Sequence, residues 1–219
     1  MTNQEYRALP DISNTDLTAF KRMVFGEYHH HRLPTKAFSF GDLFHKAILQ
    51  PKALTTQDFE TLDAKQLQLL IRLLNKVRSE IPWLLRWITK QKVYTWTDAT
   101  TEAKCKMRLD ANLRRQTIVE FKTTSAHNLP EFLETVDEYD YDRQIAFYKD
   151  GFDTIYGTDC KVLLVILSKV APFNLMVYQP SGEMLKRGRK KYKRLLKDMV
   201  KKGINPTHWI NDFDKEYPF

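Results

Sequence analysis

The residues of this chain best suited to chemistry are two acids and a lysine in a β-rich stretch. Asp110 closes one segment of alternating apolar and polar residues, and Glu120 and Lys122 lie two positions apart in the next. Side chains repeat every second residue along a strand, so Glu120 and Lys122 share one face and Phe121 takes the other. Because a short polar turn joins the two segments, we expect Asp110 to lie beside Glu120.

This arrangement predicts hydrolysis of a phosphodiester with the help of a metal ion. Two adjacent carboxylates repel each other unless a cation lies between them. Oxygen ligands of this kind favour Mg²⁺ or Mn²⁺ over zinc. Lys122 could then hold or deprotonate the attacking water and offset the charge of a phosphate. The alternative for Glu120 and Lys122 is a solvent-facing ion pair, which is common on strands.

Three further residues could complete such a site. Gln144 and Tyr148 lie four positions apart and therefore share one face of a predicted helix. His45 lies on an earlier predicted helix with small and apolar neighbours. A histidine in that setting can be a metal ligand or a buried structural residue, and the sequence leaves both interpretations open.

The net charge of +8 is concentrated in one segment. Residues 181–203 carry ten Lys or Arg against only Glu183 and Asp198, while the rest of the chain is balanced. Such a patch attracts polyanions, as nucleic-acid-binding proteins do. The candidate DNA-binding residues are Lys186, Arg187, Arg189, Lys190, Lys193, Arg194 and Lys197. The alternatives are a solvated helix face or contact with an anionic membrane, although the apolar stripe of this helix is better explained as core.

Hydrophobic periodicity predicts the elements that position these groups. Helices are expected over 13–23, 39–50, 67–77, 79–88, 128–150 and 181–203, and strands over 93–97, 105–110, 117–122, 161–168 and 173–178. This order predicts an α/β fold, with a mixed central β-sheet flanked by helices. We expect one domain over 1–219, with a mostly helical part (1–92), a sheet core (93–180) and a basic helix (181–203).

Composition excludes several classes of protein. Two cysteines, Cys105 and Cys160, cannot form a disulfide framework or a four-cysteine metal or iron–sulfur site. No apolar run reaches the ~18–20 residues that span a bilayer, and the first residues do not form a signal peptide. We therefore expect a cytoplasmic protein that has no membrane partner.

Taken in order, the motifs resemble those of the PD-(D/E)XK nuclease superfamily. They are Gly41-Asp-Leu-Phe-His45, Arg108-Leu-Asp110, Val119-Glu-Phe-Lys-Thr-Thr124 and Gln144-Ile-Ala-Phe-Tyr148. The upstream His and the downstream Gln-x-x-x-Tyr are similar to the RecB-like branch, although Leu109 stands where the superfamily name has proline. The segments Ile12-Ser-Asn-Thr-Asp-Leu17 and Gly188-Arg-Lys-Lys-Tyr192 resemble the RecE-type exonucleases of phages and prophages.

The resemblance implies a restriction-endonuclease-like core and an exonuclease that uses Mg²⁺ or Mn²⁺. It assigns His45, Asp110, Glu120 and the backbone carbonyl of Phe121 as metal ligands, Lys122 as the catalytic lysine, and Gln144 and Tyr148 as catalytic residues that contact DNA. It further implies 5′→3′ resection of double-stranded DNA ends in phage-type recombination, a single-strand annealing protein as partner, and a homo-oligomeric ring. A structure-specific or restriction-type endonuclease of the same fold and a non-catalytic nucleic-acid-binding protein remain alternatives.

Overall fold

The computed structural model describes residues 3–25, 35–60 and 62–204, with side chains from 5, 40 and 62 onward in these ranges. The helices are α1 (Asn3–Ala8), α2 (Asn14–Phe25), α3 (Thr35–Leu49), α4 (Ala64–Glu80), α5 (Pro82–Trp87), α6 (Leu129–Glu138), α7 (Tyr141–Tyr156) and α8 (Gly182–Lys201). The strands are β1 (Ile88–Thr97), β2 (Lys104–Leu113), β3 (Thr117–Thr124), β4 (Lys161–Ser168) and β5 (Leu175–Tyr178). Two single 3₁₀ turns, Pro51–Ala53 and Thr56–Phe59, connect α3 to α4.

The five strands form one mixed sheet in sequence order, from β1 to β5. β1, β2 and β3 form an antiparallel meander, β4 runs parallel to β3, and β5 is antiparallel to β4. A parallel pair requires a long crossover connection, and α6 and α7 supply it. The mixed central sheet predicted from the sequence is thus confirmed.

Helices cover both faces of the sheet, and each face has its own apolar core. The first core packs α2, α6, α7 and α8 against the sheet, with Phe132 and Leu196 fully buried. The second core packs α3, α4 and α5 against the other face, with Phe44 and Leu73 fully buried. Strand β4 alternates between them, with Leu164 and Ile166 in the first core and Val165 and Leu167 in the second. This double burial explains its nearly continuous apolar sequence.

The predicted start of α2 is confirmed in detail. The N–H of Ser13 donates to Oδ2 of Asp16 over 2.7 Å, and Oγ of Ser13 accepts from the N–H of Asp16 over 3.3 Å. This is a capping box in which Asp takes the usual place of Glu. The helix then buries Leu17 and Phe20 completely, as its apolar spacing predicts.

The prediction of a single helix over 128–150 is wrong. The chain forms two helices, α6 and α7, because Asp140 between them has a φ of 53° and cannot continue a helix. Gly151, which directly follows the expected end at residue 150, lies inside α7, which ends at Tyr156 and is followed by Gly157 with a φ of 62°. Gly151 serves packing instead, since a Cβ there would lie 2.8 Å from the ring of Trp96.

Other boundaries shift by a few residues. Strand β1 begins at Ile88 and not at residue 93, while β5 begins at Leu175 because Phe173 has a φ of 61°. Ser79, the expected first residue of the helix over 79–88, belongs to α4, and its hydroxyl donates to the carbonyl of Lys76. No helix within the described ranges is long and apolar enough to cross a lipid bilayer.

Candidate active site

At Asp110 the side-chain alternation of strand β2 shifts, so that positions which faced one side of the sheet now face the other. Cys105 and Leu109 lie in the first core, whereas Ala111 lies in the second. The ladder between β2 and β3 ends at the same point, at the pair Ala111 and Val119. Asp110 therefore does not end its strand as predicted, because β2 runs on to Leu113. It marks the place where β2 and β3 separate.

The two acids occupy the gap between the separated strands. Oδ2 of Asp110 accepts a hydrogen bond of 2.9 Å from the N–H of Phe121, and Oε1 of Glu120 accepts one of 3.4 Å from the N–H of Asp110. The N–H and C=O of one strand residue point toward the same edge, so the carbonyl of Phe121 also faces this gap. The structure thus brings Asp110, Glu120 and the Phe121 backbone together.

Lys122 lies on the same face of β3 as Glu120, as the period of the strand predicts. Its Nζ atom lies 3.6 Å from Oε2 of Glu120 and donates a hydrogen bond of 2.7 Å to Oε1 of Gln144. Nε2 of Gln144 in turn donates to the hydroxyl of Tyr148 over 3.3 Å. The Glu120 and Lys122 side chains are only 3% and 12% exposed, so their contact is not a solvent-facing ion pair.

His45 joins the cluster from α3. Its Nδ1 atom lies 3.1 Å from Oδ1 of Asp110, and its side chain is 26% exposed. The neighbouring Phe44 is the residue that enters the second core, and its ring meets the imidazole edge-on. The contact with Asp110 places His45 at the site and outside the apolar core.

Burial and neighbouring charges shift the pKa values of the four titratable groups of the cluster in different ways. Burial raises the pKa of Glu120 to about 8, and the charge of Asp110 adds to the rise. Burial also acts to raise the pKa of Asp110, but His45 and Lys122 hold that pKa below its usual value. Burial opposes the cationic forms of His45 and Lys122, yet the carboxylates keep both pKa values raised. Glu120 is therefore the carboxyl group that resists ionisation.

The donor types fit a hard divalent cation, although the side chains are engaged with one another. Among the side chains that the structure describes, no three His, Cys, Asp or Glu stand in a group that could hold a metal ion. Oδ1 of Asp110 contacts His45, and Oδ2 contacts the Phe121 N–H. A cation between Asp110 and Glu120 would remove the repulsion that helps to raise the pKa of Glu120.

Some of the basic residues of helix α8 hold it against α7. Nε of Arg187 donates to the fully buried Asp142 over 2.7 Å, and Arg189 forms two hydrogen bonds to Asp150. Gly188 between them permits this closeness, because a Cβ there would lie 1.9 Å from the carbonyl oxygen of Asp142. The DNA-binding role predicted for Arg187 and Arg189 stays a prediction, and both residues have a structural task in addition.

Lys191 likewise pairs with Asp137 and Asp142, and most of the remaining basic residues form a stripe on the side of α8 away from its buried face. Lys186, Lys190, Lys193, Lys197 and Lys201 recur every three or four residues, so they share one face. Four of these are exposed and Lys193 is half-buried. The exposed Arg194 flanks them, with Cζ 5.7 Å from the Phe25 ring centroid. The buried face of α8 consists of Met184, Gly188, Tyr192, Leu195, Leu196 and Met199. The stripe is therefore available to a polyanion.

Sequence reasoning missed the acids that hold this arrangement together. Asp142 and Asp150 lie on the same helix as Gln144 and Tyr148, and they anchor α8. Their spacing of eight residues, close to two helical turns, was a signal that they share a face. Tyr141 was also missed, and its ring centroid lies 5.0 Å from Nζ of Lys122.

The mixed sheet and the cluster on β2 and β3 define a core of the restriction-endonuclease type. The chain belongs to the family described as "PDDEXK-like domain of unknown function (DUF3799)", whose model matches residues 11–208. This match confirms the PD-(D/E)XK resemblance and the fold class expected from the sequence. No curated protein matches the sequence significantly.

One solved structure supports the same fold. A crystal structure of a protein from Eubacterium rectale, named "putative exonuclease", is 15% identical and covers 92% of this chain and 84% of its own, with a TM-score of 0.63. The crystal structure of SSO0001 is also 15% identical and covers 90% of this chain and 86% of its own. Its TM-score of 0.38 is below the range that indicates a shared fold.

Proposed function

We propose that this chain is a divalent-metal-dependent deoxyribonuclease that degrades double-stranded DNA from its ends. The observation that carries the proposal is the buried cluster in which Asp110, Glu120 and Lys122 meet at the point where β2 and β3 separate. A PD-(D/E)XK-type fold supports nuclease chemistry, since the family match covers residues 11–208. Mg²⁺ or Mn²⁺ would be held by Asp110, Glu120, His45 and the carbonyl of Phe121.

The residues around the cluster have separable tasks in this reaction. The metal ion, when bound, polarises the phosphodiester and acidifies the attacking water. The neighbouring carboxylates raise the pKa of Lys122 in the metal-free protein, so its protonated amine can donate to water or to a phosphate oxygen. Gln144 fixes the Lys122 amine, and Tyr148 fixes Gln144.

The finer assignment is that of a 5′→3′ exonuclease in phage-type recombination. It is supported by the His45 and Gln144–Tyr148 motifs, which resemble the RecB-like branch, and by the RecE-like segments near residues 12 and 188. The structural neighbour named "putative exonuclease" also favours action at DNA ends. A single-strand annealing protein as partner and a homo-oligomeric ring belong to the same proposal.

One digestion tests the central claim. A linear duplex, labelled at its 5′ or its 3′ ends, is incubated with the protein and Mg²⁺, Mn²⁺, Ca²⁺ or excess chelator, beside a covalently closed circle. We expect loss of the linear duplex with Mg²⁺ or Mn²⁺, release of the 5′ label first, and no reaction with Ca²⁺ or chelator.

Each alternative outcome would contradict a specific part of the proposal. Cutting of the closed circle would make the protein an endonuclease of the same fold. Undiminished hydrolysis in chelator would exclude a metal-dependent mechanism. DNA binding without hydrolysis under all conditions would leave only the non-catalytic alternative.

A further inference from the structure

A second cluster of cations lines a cavity of about 250 Å³ on the β1–β2 edge of the sheet. Its charged residues are Lys92, Arg114 and Arg115, and none of the described residues that line it is acidic. The cavity contains neither Asp110 nor Glu120 nor Lys122. We propose that it binds a backbone phosphate of the nucleic-acid strand on which the proposed nuclease acts, at a distance from the cleaved bond.

Within the described residues, the cations of this cavity lie over aromatic rings and form no ion pair with a carboxylate. Cζ of Arg115 lies 5.5 Å from the centroid of the Tyr156 ring, and Nζ of Lys92 lies 5.3 Å from that of Tyr94. Arg114 lies over the exposed Trp87 at 5.2 Å. A ring holds a cation in place without neutralising it, so the positive charge stays available and less side-chain freedom is lost on binding.

Hydrogen-bond donors accompany the charge. Nδ2 of the buried Asn112 donates to the hydroxyl of Tyr94 over 3.1 Å, and the phenols of Tyr94 and Tyr156 both line the cavity. The cavity is smaller than the ~300–1,000 Å³ usual for drug-sized ligands. Guanidinium, ammonium and phenol groups around a small space are the partners that a phosphate group prefers.

The turn between β2 and β3 places two arginines where turn chemistry disfavours them. Arg114 and Arg115 have φ values of 51° and 57°, and the N–H of Gln116 donates to the carbonyl of Leu113 over 3.0 Å. Positive φ at both central positions is the geometry of a type I′ turn, in which Gly, Asn and Asp predominate. Two arginines at these positions destabilise the turn, and a binding role explains their presence there.

The location of the cavity favours a nucleic-acid strand over a free phosphate as its ligand. Arg114 lies four residues beyond Asp110, in the turn that follows β2, about 13 Å along the chain at the rise of a strand. The phosphate in the cavity is therefore not the one that reacts, but one a few nucleotides away, since phosphates recur at about 3.4 Å per strand along a duplex. Arg114 and Arg115 are exposed, so a long strand can reach them.

The test uses the variant Arg114→Asn/Arg115→Asn, in which asparagine suits the left-handed turn better than arginine does. Binding of a fluorescent duplex is followed by anisotropy in chelator, so that hydrolysis is not needed. We expect affinity to fall about tenfold or more, as when charge-assisted hydrogen bonds to an anion are removed. The slope of log K against log[salt] should become shallower by about 0.9 for each phosphate that the variant no longer neutralises. The melting temperature should stay equal or rise.

A matched variant, Lys52→Asn/Lys65→Asn, removes the same charge from exposed positions outside the cavity. We expect it to bind DNA as the wild type does. Equal weakening by both variants, or an unchanged affinity and salt slope in the arginine variant, would overturn the proposal.

Inorganic pyrophosphate separates the two sources of phosphate. It should stabilise the wild type against heat more than the Arg114→Asn/Arg115→Asn variant. If it does so while both proteins bind the duplex equally, the cavity takes a small phosphorylated molecule and the nucleic-acid assignment is wrong. Because binding is measured in chelator, loss of the pocket and failure of the proposed hydrolysis are distinguishable.

Discussion

Lys122 and Gln144 are joined by a hydrogen bond of 2.7 Å that links strand β3 to helix α7. The bond uses one of the three donors of the Lys122 ammonium group, and Oε2 of Glu120 lies 3.6 Å from the same nitrogen. The position of the amine therefore depends on two elements, a strand of the sheet and a helix of the crossover between β3 and β4.

Removing the Lys122 amine should impair turnover far more than metal binding. We expect Lys122→Ala to reduce turnover about 10²-fold or more, the usual loss for a positioned catalytic group, and to leave Mn²⁺ affinity close to wild type. Hydrolysis of end-labelled duplex and Mn²⁺ titration measure the two quantities. Lys161→Ala, at the exposed start of β4, is the matched control and should behave as the wild type. Near-normal turnover in Lys122→Ala would remove Lys122 from the catalytic group.

The metal-free protein should lose stability as pH rises. The pKa of Glu120 is raised from its unfolded value near 4.5 to about 8, so the folded state binds this proton more tightly. The associated stability is present at low pH and is lost as pH rises through this interval. The raised pKa of His45 acts in the same direction above its unfolded value of 6.5.

Thermal melting in chelator between about pH 5 and pH 8 measures this loss, and Glu120→Gln is the control. The melting temperature of the wild type should fall relative to that of Glu120→Gln, because glutamine cannot ionise. Mn²⁺ should restore more stability at the upper end of the range, where its ligands are deprotonated. Parallel curves for the two proteins would contradict the assignment.

His45 can be tested as a metal ligand by separating affinity from stability. We expect His45→Ala to weaken Mn²⁺ binding while its melting temperature in chelator stays close to wild type, since its side chain is 26% exposed. His127→Ala, at an exposed position, should change neither quantity. A large loss of stability with unchanged Mn²⁺ affinity would instead make His45 a structural residue.

The cationic stripe of α8 should contribute to DNA affinity and not to chemistry. Neutralising Lys190, Lys193, Arg194 and Lys197 together should weaken DNA binding irrespective of sequence. It should also reduce the salt slope by about 0.9 for each phosphate that these residues neutralise in the wild type. Turnover at saturating DNA should change much less. An unchanged salt slope would mean that this face of α8 does not meet DNA.

A comparison variant, Arg187→Gln/Arg189→Gln, separates the structural cations of α8 from its stripe. It should lower the free energy of unfolding by about 1–3 kcal/mol, because the fully buried Asp142 loses a charged donor. The quadruple stripe variant should lack this loss, since exposed charges contribute little to stability. Urea unfolding of the two variants beside the wild type measures the difference.

Gly188 should not tolerate even alanine. Its added Cβ would lie 1.9 Å from the carbonyl oxygen of Asp142, so α7 and α8 would have to separate. Overpacking of this kind costs about 1–3 kcal/mol or more, and the shift of α7 should lower turnover through Gln144 as well. Gly182→Ala is the control, because no atom lies within 4 Å of its added Cβ, and urea unfolding compares the two. Equal stability of both variants would contradict this close helix contact.

Local patterns were sufficient to predict which face of the sheet carries the candidate active site. The period of a strand placed Glu120 and Lys122 together, and the short turn placed Asp110 beside Glu120. The change of face at Asp110 was not predictable, because alternation along Cys105–Asp110 continues without a break in the sequence. It becomes visible only when Ala111 is found in the second core.

The sequence also did not predict contacts between residues that lie far apart in the chain. The sequence marks α8 as basic on one side and apolar on another, but the pairing of Arg189 with Asp150 spans 39 residues. Nothing local distinguishes a cation that meets an acid of α7 from one that faces solvent. The helix broken at Asp140 was missed for a related reason, since Asp adopts positive φ without the warning that glycine gives.

The docking of α8 also affects the order in which parts of the protein can fold during synthesis. Its six buried residues close the first core, and they include Tyr192, whose ring packs edge-on against Phe147 of α7. During synthesis every strand of the sheet leaves the ribosome before this helix does. Until α8 arrives, the outer side of α7 is uncovered and Asp142 and Asp150 have no guanidinium partner from α8. The packing of α7, which carries Gln144 and Tyr148, is therefore complete only after the residues of α8 have emerged from the ribosome.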